Sequence, residues 1–133
     1  MYYQFKGKAI TGVVSVLPEN EYYFEDEAAN PNDAKSKRLK KIIGFGTRRR
    51  VKADTTLSDM FLTGLNKIIS EGKLIKNDIG AIVVVTLTQD YILPQISSII
   101  HGELDLKEDV FCVDIPQACA GYVIGLIESF MLL

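Results

Sequence analysis

The sequence predicts an α/β fold, a mixed sheet with helices on both faces. Two short apolar runs, Ile79 to Thr88 with its Ala-Ile-Val-Val-Val centre and Val110 to Ile115, lack the apolar–polar alternation of a half-exposed strand. That is the pattern of strands covered on both sides. Stretches of helical periodicity stand between and beside them, so strand and helix alternate along the chain, the order that parallel pairing through crossovers requires.

Taken in order, Lys8 to Leu17 is rich in Ile and Val, is closed by Pro18, and reads as a first strand belonging to the same mixed sheet. From Glu19 to Asp33 the chain is acidic and polar and contains Asn30-Pro31-Asn32-Asp33, the composition of an exposed loop. Ser36 to Ile43 fits a short helix stopped by Gly44, and Gly44 to Lys52 follows as a basic loop. Asp54 to Glu71 is the clearest helix. Leu57, Met60, Phe61, Leu65, Ile68 and Ile69 recur in it at spacings of three and four, and Gly72 ends it. Pro94 suits a first helical position and opens a helix to His101, closed by Gly102. A last helix runs from Ala118 onward. It reaches Phe130-Met131-Leu132-Leu133 with neither a cap nor a polar tail, which predicts that these residues are part of a longer protein.

Composition narrows the classes of function. With 47% hydrophobic and 24% charged residues, a chain of 133 residues buries one core, which excludes a disordered tail. The longest charge-free run, the 13 residues Ile115 to Ile127, contains Pro116, Gln117 and Gly121. A membrane span needs roughly 20 apolar residues, so no membrane role is expected. The apolar run after Lys6 and Lys8 leads into Pro18 and Glu19 where a secretory leader has small residues. Two cysteines, Cys112 and Cys119, make no disulfide framework, which points to a reducing cytoplasm, and they are too few ligands for a metal site.

Charge is distributed unevenly. Nine of the 15 basic residues (Lys35, Lys37, Arg38, Lys40, Lys41, Arg48, Arg49, Arg50 and Lys52) lie between Asp33 and Asp54 with no acidic residue among them. The remainder holds six basic and all 17 acidic residues, a balance of −11 against +9. Two readings stand: a surface for a phosphate-bearing or acidic partner, or a solvated helix face followed by a basic loop. Phe45 is the only aromatic residue between Lys35 and Lys52, so base stacking on single-stranded nucleic acid has little to work with.

Cys119 lies in Val113-Asp114-Ile115-Pro116-Gln117-Ala118-Cys119-Ala120-Gly121-Tyr122, between an expected buried strand and an expected helix. A thiol at a helix N-terminus meets unpaired amides and the positive end of the macrodipole, which favour a thiolate and can face a developing oxyanion. Ala120 and Gly121 leave the approach to the sulfur open. The same residue also suits a small core position, since free cysteine is often buried. Cys112, inside Val-Phe-Cys-Val-Asp, is read as a core residue.

The stretch Asp114 to Gly125, Asp-Ile-Pro-Gln-Ala-Cys-Ala-Gly-Tyr-Val-Ile-Gly, resembles the nucleophile segment of the β-ketoacyl-acyl carrier protein synthase III family of thiolase-like condensing enzymes. Three further segments agree in order and spacing: Ile10-Thr11-Gly12 through Leu17-Pro18, Ile43-Gly44-Phe45-Gly46-Thr47-Arg48-Arg49, and Asp78 to Thr86 leading to Asp90-Tyr91 and Pro94. The resemblance covers nearly the whole chain. It implies the thiolase-like fold, N-terminal half only, with residues 1–133 as a half-domain incomplete at its C-terminus and the C-terminal catalytic half absent.

It also implies a function. Cys119 would take an acyl group from acyl-coenzyme A or another acyl thioester, and malonyl-acyl carrier protein would then lose CO2 and attack the acyl-enzyme, a step of fatty acid biosynthesis. Substrates, not cofactors, carry this chemistry, and no metal takes part. The family's assisting histidine and asparagine come from its C-terminal half, so the fragment alone is expected to be inactive, at most reacting slowly with thiol reagents at Cys119. The resemblance further implies a cytoplasmic homodimer that works with acyl carrier protein. By alignment, the 44–50 loop lies near the mouth of the acyl-donor tunnel, and Arg48, Arg49 and Arg50 are candidates for phosphate contacts. The aromatic and arginine positions that clamp adenine in the family fall near Arg38 and Gly46 and depart from the pattern. Leu93 aligns with the residue that one subunit pushes into its partner's acyl pocket; a packed leucine at a helix start is the simpler reading.

His101, the only histidine, invites a Cys–His dyad with Cys119. Its place just before Gly102, where it can bond terminal carbonyls, argues against that pairing. Gly44-Phe45-Gly46 resembles the start of a dinucleotide fingerprint, but Arg49 takes the third glycine's place and no strand is expected before it. Two other functions remain in view: a condensing enzyme of secondary metabolism with an unusual acyl starter, and a non-catalytic binder of an acidic carrier protein or a nucleic acid through residues 35–52.

Overall fold

A computed structural model describes residues 2–23, 32–44 and 46–133 of the chain. It divides into two units: residues up to Val16 with Thr56–Leu133, and Leu17–Thr55.

The smaller unit is a strand pair with a helix between its strands. Strand β1 (Asn20–Tyr23) pairs antiparallel with β2 (Thr47–Arg50), Tyr22 opposite Arg48 and Glu21 opposite Arg49. Helix α1 (Ala34–Ile43) lies between them in sequence, its N-terminus capped by the Asp33 carboxylate, which accepts from the Ser36 amide, and its end marked by Gly44 at φ 73°. Both strands replace expected loops. Opposite charges across the ladder, Glu21 with Arg49, and the Arg50 guanidinium 5.3 Å from the Tyr22 ring centre stabilise a pairing that composition alone did not suggest. The rest of the expected 19–33 loop from residue 24 to 31, and Phe45, lie outside the described residues.

The larger unit holds helix α2 (Leu57–Ser70), strand β3 (Ala81–Val85), helix α3 (Ile96–Glu103), strand β4 (Phe111–Ile115) and helix α4 (Gly121–Leu132), with a 3₁₀ turn at Lys76–Asp78. β3 and β4 are parallel, Ala81 opposite Phe111 through Val85 opposite Ile115. Alternation along β3 sorts its side chains to two faces. Val84 joins the buried cluster with Ile96, Ile100, Leu104, Leu106 and Val110, against which Leu57, Phe61, Leu65 and Ile69 of α2 pack. Val83 and Val85 face α4, so helices cover both faces of the parallel pair, as expected.

α2 starts three residues later than the apolar pattern suggested because Thr56 and Asp59 form a capping box there. α3 likewise begins at Ile96, two residues after Pro94, and α4 at Gly121, three after Ala118.

The expected single mixed sheet is, among the described residues, two separate pairs, one antiparallel and one parallel. Lys8 to Leu17 forms no strand. Its valines instead cover α2: a Cβ on Gly64 would stand 2.9 Å from Val16 Cγ2 and 3.6 Å from Val14 Cγ1, while Val13, pointing the other way, is exposed. The run keeps a strand's alternation, but its apolar side packs on a helix and no partner strand is present among the described residues.

Candidate active site

The carboxyl edge of a parallel strand pair is where loops converge, and ligands commonly bind there. Here two connections leave that edge. One follows β3 and carries Thr86 to Gln95; the other follows β4 and carries Pro116 to Ala120. They are tied at the root by the Thr86 amide donating to the Ile115 carbonyl at 3.2 Å.

Cys119 sits in the second connection, exposed, two residues before α4. The Gly121 amide donates back to the Ala118 carbonyl at 2.8 Å, closing a turn around the cysteine. α4 has Ala120 as its N-cap and no side chain capping its first turn. Among the described residues, the only helix-terminal amides with a partner there are Gly121, bonded to the Ala118 carbonyl, and Ile124, bonded to the Ala120 carbonyl at 3.2 Å. Close packing sets the height of this turn. A Cβ on Gly121 would come 2.5 Å from Val85 Cγ1, and one on Gly125 2.7 Å from Val85 Cγ2, so only glycine lets α4 approach β3 this closely.

Asp114 anchors the neighbouring element. Its carboxylate, on β4, accepts from the amides of Ile96 at 2.7 Å and Ser97 at 3.0 Å, capping α3. Asp90 does the same for α2, accepting from Leu57 at 2.8 Å and Ser58 at 3.0 Å. Burial pushes the Asp90 carboxyl up, but hydrogen bonds from Ser58 and Leu57 outweigh it and hold the group below the usual range. Neither carboxylate was singled out from the sequence. The available signal was Asp114 itself, a charge inside an otherwise apolar strand, which needs a partner.

The other sequence candidates separate. Cys112 is half-buried against the core cluster, and burial, then the Asp114 charge, pushes its thiol up. His101 is engaged by the Lys107 carbonyl at 2.9 Å. Because Asp114, near the end of β4, holds the start of α3, the far end of α3 with His101 lies by the beginning of β4, opposite the Cys119 edge; no Cys–His dyad forms.

Leu93 is on the first connection and 81% exposed, beside Ile92 at 93% and Tyr91 at 59%. It is a projecting apolar tip, not a packed helix start. Arg48, Arg49 and Arg50 do not form one cluster, because strand alternation turns Arg49 away from the other two. Arg49 is taken up by the Glu21 carboxylate and the Pro18 carbonyl, the latter at 2.9 Å. No group of three or more potential metal ligands occurs among the described residues, and no described helix is long and apolar enough to cross a membrane.

No family model matches the chain. A Campylobacter jejuni protein named as a 3-oxoacyl-[acyl-carrier-protein] synthase 3 is 32% identical over 133 residues, 98% of this chain and 38% of that protein. A β-ketoacyl-[acyl-carrier-protein] synthase III of Fusobacterium nucleatum is 30% identical over 92% of this chain and 37% of its own length. Among solved structures, OleA of Xanthomonas campestris superposes with a TM-score of 0.76 at 19% identity over 89% of this chain and 37% of that one. The 3-oxoacyl-(acyl-carrier protein) synthase of Burkholderia xenovorans gives 0.71 at 24% identity over 88% and 34%. The chain thus spans little more than a third of the length of the relatives it matches. Likeness of sequence along nearly its whole length and likeness of fold agree, and the chain is a homologue of the N-terminal part of the 3-oxoacyl-[acyl-carrier-protein] synthase III proteins, with the thiolase-like fold over that part.

Proposed function

We propose that these residues carry the acyl-accepting nucleophile of a 3-oxoacyl-[acyl-carrier-protein] synthase III-type acyltransferase of fatty acid biosynthesis, and that the nucleophile is Cys119. The observation that supports this most is the exposed thiol in the turn that opens an uncapped helix at the carboxyl edge of β3 and β4. In the loading step the Cys119 thiolate attacks the carbonyl of an acyl thioester such as acyl-coenzyme A. The new C–S bond forms, the coenzyme thiolate leaves, and the thiol's proton ends on that leaving group. Helix-terminal amides beside the sulfur would meet the developing oxyanion.

Condensation with malonyl-acyl carrier protein is proposed for the whole protein, in which the resemblance implies an assisting histidine and asparagine from the C-terminal half. Loading is therefore the part of the reaction assigned to this chain. Arg48, Arg49 and Arg50 on β2 are the proposed phosphate contacts for the acyl donor, with Arg49 also held by the Glu21 carboxylate. The exposed Tyr91-Ile92-Leu93 tip supports homodimerisation through Leu93 in a cytoplasmic enzyme.

Intact-mass measurement after incubation with a panel of acyl-coenzyme A thioesters tests the assignment. Mass should increase by one acyl group on the parent chain and on Cys112→Ser, and not on Cys119→Ser. Acylation surviving in Cys119→Ser would overturn it.

A further inference from the structure

We propose that Asp114 is a positioning residue for Cys119: by gripping the start of α3 it fixes the end of β4 from which the cysteine's turn leaves. The inference rests on the reading of Cys119 as the acyl acceptor for its role in the reaction, whereas its geometry is independent of that reading. The side chains of Pro116 to Ala120 do not hold the sulfur in place. Among the described residues none of them makes a hydrogen bond or an ion pair. The turn is held at its two ends instead. Downstream, Gly121 and Gly125 seat α4 against Val85. Upstream, the Ile115 carbonyl accepts from the Thr86 amide at 3.2 Å and the Gln117 amide at 2.9 Å, and Asp114 beside it reaches the amides of Ile96 and Ser97 at 2.7 and 3.0 Å.

Capping alone does not account for this arrangement. A Ser, Asp or Asn at the N-cap of α3 would satisfy the same amides from within the helix. The N-cap is Gln95, which caps nothing; its side-chain amide also goes to β4, donating to the Cys112 carbonyl at 3.2 Å. A carboxylate inside an apolar strand is a costly way to cap a helix, and the tie between helix and strand is what a local cap could not supply. Ile96 and Ser97 are both 0% exposed and Ile100 1%, so α3 is seated in the core and gives β4 a fixed reference. A nucleophile displaced by about 1 Å can lose about a hundredfold in rate. The end of β4, five residues before Cys119, is where such a displacement would begin.

The test separates capping from positioning. Asp114→Ala removes both the cap and the tie, and adding Gln95→Ser returns a cap within α3 but no tie. In urea unfolding the double variant should regain much of the lost stability. Loading of its Cys119 from saturating acyl-coenzyme A should stay at least about tenfold slower than in the parent chain, with the half-saturating donor concentration unchanged. Asp114→Asn, whose amide oxygen can still accept, should recover most of the rate. A second readout needs no catalysis: Cys119 is cyanylated in a Cys112→Ser background and its nitrile infrared band recorded. The band should broaden when Asp114→Ala and Gln95→Ser are added, as the sulfur samples more positions, and narrow again with Asp114→Asn. Loading that returns together with stability in the double variant would make Asp114 a structural residue only and overturn the proposal. A nitrile band that is the same in all three proteins would overturn it as well. A parent chain that is never acylated, with a band that still responds to the tie, sinks the catalytic reading alone and leaves the positioning supported.

Discussion

The carboxylate of Asp114 holds the amide of Ser97 at 3.0 Å, so a residue of β4 caps the helix that precedes it by more than ten residues. The same carboxylate takes the Ile96 amide, and Cys119 follows five residues later in the chain. Removing the carboxylate leaves two amides without their acceptor at a buried helix start. Asp114→Ala should cost about 1–3 kcal/mol in urea unfolding, and Asp114→Asn less, since its amide oxygen can still accept. Equal stability of Asp114→Ala and the parent would show that the cap is dispensable.

Gly121 and Gly125 make the opposite kind of contact, one of closeness. Alanine at either position places a methyl within 2.5 or 2.7 Å of a Val85 methyl. Overpacking of this kind costs about 1–3 kcal/mol, so both substitutions should lower the midpoint of thermal unfolding. Val85→Ala should recover part of the loss in a double variant with Gly121→Ala. Strictly additive effects in that cycle would mean that the helix shifts freely.

Asp90 links stability to acid. Its folded carboxyl titrates below the usual value, held there by the amides and hydroxyl of the α2 start against the cost of burial. A depressed folded pKa contributes stability that is present above the unfolded value of about 3.9 and disappears as the pH falls through the folded one. Stability should therefore decline below about pH 4, and Asp90→Asn should show a shallower decline. An identical acid profile in Asp90→Asn would assign the effect to other carboxylates.

The two cysteines should react at different rates. Cys119 is exposed, whereas Cys112 is half-buried, and its thiol is pushed up by burial and by Asp114. Iodoacetamide at neutral pH should label Cys119 at least about tenfold faster, with Cys112 reacting fully only in denaturant. Peptide mass mapping reads both sites, and comparable rates would contradict the placement of Cys112.

Self-association should depend on the projecting tip of the first connection. Tyr91, Ile92 and Leu93 expose apolar surface that a polar residue would remove. Ile92→Asp with Leu93→Asp should shift the chain toward monomer in light scattering. A parent chain that is already monomeric at high concentration would sink the dimer.

The larger unit was legible in the sequence because its elements declare themselves locally. The apolar runs of β3 and β4 have no polar alternation, and the stripe from Leu57 to Ile69 has helical spacing, so burial on both faces and on one face follow from residue type alone. Cys119 was legible too, from its place between a strand and a helix. The strand pairs were not. β1 and β2 are short and highly charged, and their pairing rests on Glu21 meeting Arg49 across 28 residues of sequence, a contact no local pattern encodes. Lys8 to Leu17 carried a strand's pattern and became none, because a strand needs a partner backbone as well as an apolar side.

What the sequence alone determined, then, is which segments are helical, which are buried, and that a thiol opens the last helix. Local periodicity and end signals suffice for that, since each depends on neighbours a few residues apart. Only the tertiary structure decided that Arg49 is held by Glu21, that His101 lies at the wrong end of β4, and that Asp114 and Asp90 cap helices from a distance. These depend on which residues the packed strands and helices bring within about 3 Å, the range of a hydrogen bond, and sequence separation says nothing about that.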